Sequence, residues 1–368
     1  MRTTRLRVKL RDVEPPVTRL LDVPAAALLP EVHDLLQAAI GWTDSHLHQF
    51  VTEAARYGAP DVDAMDDERD ETGVALRSLP ARFTYLYDFG DGWEHEVEVL
   101  GTGGERPGVV DGEGACPPED VGGPPGYEEL LAVLADPSDP GHDHLARWAG
   151  SWSPMFDRPA ADELVRRTAG EVPATVRALL EVISDGVQLT PGGRLPRALV
   201  RRLQERYPDW HPLGRPASIE EDLPPLAALH DLLRGVGLLR LSKGVLVATR
   251  AASDEQATIR RLRSWFGPTQ GFTSIIVGYC LALLAADGPS APAGLAERLT
   301  DLLGTGWVTS RGERVDAGVV RRALYDLEPA LVGLDLVLAG TEVWVAGPSA
   351  RSFLPRATAL AQEWSAQR

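Results

Sequence analysis

Residues Phe83-Thr-Tyr-Leu-Tyr-Asp-Phe-Gly-Asp-Gly-Trp-Glu-His-Glu-Val-Glu-Val99 form two alternating runs separated by an Asp-Gly pair. Asp91-Gly92 between such runs is the strongest short-range hairpin signal, because both residues tolerate the positive φ of a tight turn. The two-residue period of a strand places Phe83, Tyr85 and Tyr87 on one face, with Thr84 and Leu86 on the other. After the turn, Trp93, His95, Val97 and Val99 share a face, opposed to Glu94, Glu96 and Glu98. The pattern predicts a hairpin central to a sheet.

Towards the N-terminus, residues 5–11 alternate as a half-exposed strand, and Pro15-Pro16 separates them from a second strand over 17–23. A helix is expected from Pro30 to Ile40. Val32, Leu35, Leu36, Ala39 and Ile40 form its apolar stripe, with His33 and Gln37 on the opposite face. Alternation resumes over 45–51, which places His46, His48 and Phe50 on one side of a strand. Residues 60–71 read as an acidic loop. Beyond the hairpin, 101–126 is a long Gly/Pro loop, followed by helices near 127–135 and 160–168. Strands first and helices after define an α+β domain with a mixed sheet.

A boundary falls near Pro173. Residues 1–168 hold 15 Lys+Arg against 32 Asp+Glu, a balance of −17, whereas the remaining 200 hold 22 against 21. Amphipathic helices are expected at 174–184, 196–205 and 225–234, followed by a ribbon over 237–249 that turns at Lys243-Gly244. Three helices and a β-ribbon are the pattern of a winged helix. A weakly similar second unit follows, with helices at 295–303 and 316–326 and a ribbon within 331–358. The predicted domains are 1–170, 171–265 and 266–368.

A chain of 368 residues with 44% apolar and 24% charged residues is of the soluble globular class. The longest apolar run, 275–286, is too short to span a bilayer, so no membrane partner is expected. Two distant cysteines, Cys116 and Cys280, make no disulfide framework, and a cytoplasmic location is expected. The acidic first half repels nucleic acid unless a metal or basic patch intervenes.

Four blocks carry a family resemblance: Pro15-Pro-Val-Thr-Arg19, Leu36-Gln-Ala-Ala-Ile-Gly-Trp-Thr-Asp-Ser-His-Leu-His-Gln-Phe50, Tyr85-Leu-Tyr-Asp-Phe-Gly-Asp-Gly-Trp-Glu-His95 and Gly112-Glu-Gly-Ala-Cys-Pro-Pro-Glu-Asp-Val-Gly-Gly123. With them, residues 5–168 resemble the plasmid pRiA4b ORF-3-like family, whose members are also labelled TnpR-like insertion-element passenger proteins. The resemblance implies a compact α+β sheet domain and no established activity. The family pattern has Trp where this chain has Thr18, a departure that touches a core contact. No serine- or tyrosine-recombinase pattern accompanies the recombinase-like label.

His46, His48 and His95 are the candidate metal ligands, since imidazole and carboxylate together suit zinc, manganese or non-haem iron. Asp88 and Asp91 are candidate ligands or general bases, and the bland alternative is that they shape the turn through their own backbone. Trp93, Glu119 and Asp120 complete a candidate binding surface, with the Cys116-Pro-Pro-Glu-Asp120 loop as its rim. Trp42, Trp93, Trp148 and Trp152 lack interleaved cations and read as core. In the second half, Arg197, Arg201, Arg202, Arg260 and Arg261 are the candidate phosphate contacts.

Two functional readings stand. In the first, the chain is a non-enzymatic binding protein whose acidic domain meets a protein or ligand and whose second half adds a DNA or protein contact. In the second, it is a metal-assisted hydrolase with His46, His48 and His95 as ligands of a divalent ion.

Overall fold

The computed structural model describes the chain apart from residues 1, 60–67, 151, 212, 267–270, 305–306, 309–311, 313, 340–341 and 351–368. It divides into two compact units, Met1–Ala169 and Gly170–Arg368.

The first unit is α+β. Its strands are β1 (Thr3–Leu10), β2 (Thr18–Pro24), β3 (His48–Val51), β4 (Arg56–Gly58), β5 (Glu68–Asp70), β6 (Arg82–Tyr87), β7 (Trp93–Thr102) and β8 (Gly108–Glu113). They form one sheet in the order β5-β4-β3-β6-β7-β1-β2-β8. Every neighbouring pair is antiparallel except β4–β5. The helices are α1 (Leu29–Ile40), α2 (Gly123–Ala135), α3 (His142–Ala149) and α4 (Arg158–Ala169). The hairpin read from the sequence is β6–β7, in the middle of the sheet, with Tyr85 opposite His95 and Tyr87 opposite Trp93.

One face of the sheet is packed. Leu6, Val8, Leu21, Val23, Phe50, Tyr85, Trp93 and Val97 meet Leu29, Val32, Leu35 and Leu36 of α1 and Val165 of α4 in a single core. The other face is wet, and Glu98 accepts from Arg7 at 2.9 Å and from Arg82 at 2.8 Å across three strands. This alternation of core and charge is what an antiparallel sheet covered on one side requires.

Several expectations are corrected. The turn is a five-residue loop, 88–92, rather than a two-residue Asp-Gly turn, because Asp88 Oδ1 accepts from Gly90 N and Asp91 N and Gly92 N donates to the Asp88 carbonyl. Asp88 itself has φ +54°. The expected 101–126 loop contains β8, an edge strand on β2. The expected 60–71 loop contains β5 at its end, and its residues 60–67 lie outside the described residues. His33 and Gln37, read on the face of α1 opposite its apolar stripe, are buried. Trp148 is exposed, whereas Trp42 and Trp93 are core as read.

The second unit is mostly helical. It runs α5 (Ala174–Ile183), β9 (Val187–Gln188), α6 (Arg197–Arg206), α7 (Pro224–Gly235), β10 (Leu239–Ser242), β11 (Val245–Ala248), α8 (Glu255–Ser264), α9 (Phe272–Asp287), α10 (Pro292–Leu303), α11 (Ala317–Gly333), β12 (Val337–Ala339) and β13 (Trp344–Ala346). β9, β10 and β11 form a sheet in the order β10-β11-β9. After α9, Ser290 bridges to Trp344 of β13, so the order helix, bridge strand, two helices, ribbon recurs. One continuous core runs through both stretches, from Val176 and Leu229 to Leu284 and Trp344. Within it α7 lies along α11 closely enough that a Cβ on Gly333 would sit 2.7 Å from the Pro225 carbonyl oxygen. No helix among the described residues is long and apolar enough to cross a membrane.

Candidate functional site

The site is built where β3, the β6–β7 loop and the 112–123 loop meet. Arg19 anchors that loop from below. Its guanidinium is buried without a carboxylate partner among the described residues and donates to the carbonyls of Thr18, Ala39, Ile40, Glu113 and Gly114, while stacking 3.6 Å over the Phe156 ring. Burial pulls its pKa down to about 10. Two carbonyls at the C-terminal end of α1 carry the negative end of the helix dipole, which helps this cation stay inside.

Three further bonds fix the loop from the sides. Trp42 Nε1 donates to Pro117 O at 3.0 Å, Trp152 Nε1 to Cys116 O at 2.7 Å, and Gly122 N to Asp91 Oδ2 at 3.0 Å. Gly123, with φ +70°, presses on the same turn, and a Cβ there would fall 2.5 Å from the Asp91 carbonyl oxygen. Cys116 packs under this frame, its thiol donates to the Pro117 carbonyl, and burial raises its pKa. It is no activated nucleophile.

So held, the loop delivers Glu119 and Asp120 to the hairpin. Glu119 Oε1 accepts from Thr43 N and from Tyr87 OH, each at 3.0 Å. Burial, then the Glu119 charge, raises the Tyr87 phenol well above its ordinary value, so it stays a donor. His46 Nε2 then lies 3.2 Å from Asp120 Oδ1, 3.5 Å from Asp88 Oδ2 and 3.9 Å from Glu119 Oε2. His46 Nε2 and Glu119 Oε2 are both shielded from solvent and lack a well-formed hydrogen bond. The ligand atoms of His46, Asp88 and Asp120 all lie within 4.8 Å of one another.

Of the sequence candidates, His46, Asp88 and Asp120 therefore converge, with Glu119 beside them. Asp91 instead serves the loop, and Trp93 is a fully buried core ring 5.8 Å from Trp42. His46, His48 and His95 do not converge on one point among the described residues. His48 Nε2 sits 3.1 Å from both oxygens of buried Glu71, and its ring stacks on His33 at 3.5 Å and 10°. Ligand atoms of His33, Asp44 and His48 also lie within 4.8 Å of one another, but His33 and His48 are already engaged, His33 with Asp44 and Tyr85 and His48 with Glu71. His95 is buried, holds the Tyr85 carbonyl at 3.1 Å, and burial lowers its pKa to about 4. Sequence reading missed the polar layer behind the site, in which Tyr85 OH joins His33 Nδ1 at 2.8 Å and Gln37 Nε2 at 2.9 Å. The i, i+4 spacing of His33 and Gln37 on α1 was the signal for it.

Three of the five candidate arginines of the second unit have local employment. Arg197 and Arg201 donate to the Ser218 and Ala217 carbonyls, and Arg261 to the Val236 carbonyl at 2.8 Å. Arg202 is exposed, and Arg260 is partly buried on α8.

The fold and the cluster define an α+β sheet protein with a carboxylate–imidazole centre at the mouth of its central hairpin. Residues 2–163 match the family described as plasmid pRiA4b ORF-3-like protein, and the chain belongs to that family. The uncharacterized protein y4hQ of Sinorhizobium fredii is 44% identical over 167 residues, which is 43% of this chain and 85% of that protein. A crystal structure of a protein of unknown function, MM3350 of Methanosarcina mazei Go1, shares 28% identity over 43% of this chain and 96% of its own, with a TM-score of 0.40. The family match ends ahead of the second unit.

Proposed function

We propose that the chain is a binding protein whose first unit works through a divalent cation held by His46, Asp88 and Asp120, with Glu119 beside them. One observation carries the reading: a carboxylate oxygen from each of two separate loops lies 3.2 and 3.5 Å from a single imidazole nitrogen, with a Glu119 oxygen farther off at 3.9 Å. A first-row divalent ion with bonds of about 2.0–2.2 Å spaces neighbouring ligands roughly 3–3.6 Å apart. One nitrogen and two hard oxygens, with no thiolate, suit manganese, iron(II) or zinc. The ion would also offset the mutual repulsion of three carboxylates.

Elemental analysis of the purified full-length protein, followed by calorimetric titration with Mn²⁺ and Zn²⁺, tests this. The expected result is one ion per chain, with binding weakened at least about a hundredfold in His46→Ala and in Asp88→Asn. A protein that takes up neither ion, or that binds equally well in both variants, overturns the reading.

Metal-assisted hydrolysis is the second reading, and the exposure of Asp120 favours it. Its side chain is 75% exposed, so water can reach the ion on that side.

For the second unit, the order of helices and ribbons supports two winged-helix-like repeats used for protein contact rather than for reading DNA. The helix before each ribbon is the one a helix-turn-helix protein places in the major groove. Here those helices, α7 and α11, are packed along each other, and α7 carries one arginine, Arg234, and α11 two, Arg321 and Arg322. A low-salt gel shift with the full chain should show no retarded duplex; a sharp, salt-sensitive shift would sink this part.

A further inference from the structure

At the end of the sheet opposite the carboxylate–imidazole centre, a groove runs between the start of β1, the end of β7 and the segment 76–81. Its lining is mainly apolar, from Ala25, Leu76, Leu79 and Val99, with the hydroxyls of Thr3, Thr4 and Thr102 and the side chains of Arg2 and Arg77 alongside. We infer that this groove binds a small amphipathic anion, with a carboxylate or phosphate head between the two arginines and an aliphatic body along the apolar floor.

Three observations support it. The strand arginines nearby are already paired: Arg5 forms two bonds to Asp22, and Arg7 and Arg82 both reach Glu98. Arg2 and Arg77 make no ion pair among the described residues, although the first 168 residues carry a balance of −17. Two unpaired cations facing one apolar groove are complementary to a negative head on an apolar body.

The walls are also set before any ligand arrives. Gly103 N donates to Thr3 O at 3.0 Å and Gly104 N to Asp22 Oδ2 at 2.8 Å, fixing one side. Leu76 N donates to Ala27 O at 2.9 Å and fixes the other, which carries Arg77. A rigid groove spends little binding energy on ordering itself. Lastly, the β1–β7 pairing shifts register between Arg5 and Leu6 as Gly101 takes φ +116°, a bulge that turns the end of β7 at the groove.

The ligand is a free molecule rather than a membrane lipid, because two arginines fall short of the cluster of about four or more basic residues that holds a protein on an anionic bilayer. The test uses the full chain and octyl phosphate below its micelle concentration, followed by calorimetry, with inorganic phosphate and anionic phospholipid vesicles as the other arms. The expected result is saturable octyl phosphate binding, at least about tenfold tighter than inorganic phosphate and at least about tenfold weaker in an Arg2→Gln, Arg77→Gln double variant. Both side chains are exposed, so the variant keeps its fold. Binding that is absent, unchanged in the double variant, no tighter than that of phosphate, or confined to vesicles would overturn the inference.

Discussion

Nδ1 of His95 donates to the backbone carbonyl oxygen of Tyr85 across the β6–β7 pair, 3.1 Å away. A carbonyl only accepts, so the proton sits on Nδ1 and Nε2 is left as a bare lone pair in the core. Burial holds the pKa at about 4, against about 6.5 for a free histidine. Between those values the unfolded chain binds a proton that the folded one refuses, so stability falls as the pH falls from about 6.5 to 4. The loss is on the order of 3 kcal/mol. Urea unfolding across that range should show this slope in the wild type and a flatter one in His95→Gln.

Arg19 gives the largest single-residue prediction. Arg19→Met removes donors from five carbonyls and empties the space over Phe156. The cost is roughly 3–5 kcal/mol. Arg19→Lys should recover only part of it, because an ammonium has three donors and no planar fork. Chemical denaturation of the full chain measures both.

Gly123→Ala should act on the cation site from a distance. Its Cβ would press on the Asp91 carbonyl oxygen at a φ that alanine resists. The strain, about 1–3 kcal/mol, moves the loop that carries Glu119 and Asp120. Mn²⁺ titration should therefore weaken while the circular dichroism spectrum stays that of the wild type.

In the second unit, His230 Nδ1 and Glu220 Oε1 lie 2.8 Å apart with both side chains fully buried, and Glu220 Oε2 accepts from Leu195 N. His230→Ala leaves the carboxylate with Leu195 N and with Arg194 Nη1 3.8 Å away and should cost about 1–3 kcal/mol, whereas the Glu220→Gln, His230→Gln double variant should cost less. Thermal unfolding of the single and double variants decides between these outcomes.

Much of this protein was legible before any coordinates. The alternation of Phe83–Tyr87 and Trp93–Val97 set the hairpin and its buried face, because strand periodicity is a local property of backbone geometry. The helical stripe of α1 and the break ahead of α5 were local too. Short strands such as β4 and β5, and the edge strand β8 inside a Gly/Pro loop, were not, since their pairing partners come from elsewhere in the chain.

The site divides in the same way. The sequence by itself determined the fold class, the family and the ingredients: three histidines and a set of acids near one turn. Only the tertiary structure decided which belong together. It matched His46 with Asp88, Glu119 and Asp120, gave His48 to Glu71, sealed His95 behind Tyr85, and set Asp91 to hold the loop. The reason is range. Alternation tells which face of a strand a side chain occupies, but whether an imidazole meets a carboxylate depends on a loop some seventy residues away. That loop is held where it is by a buried arginine and two tryptophans.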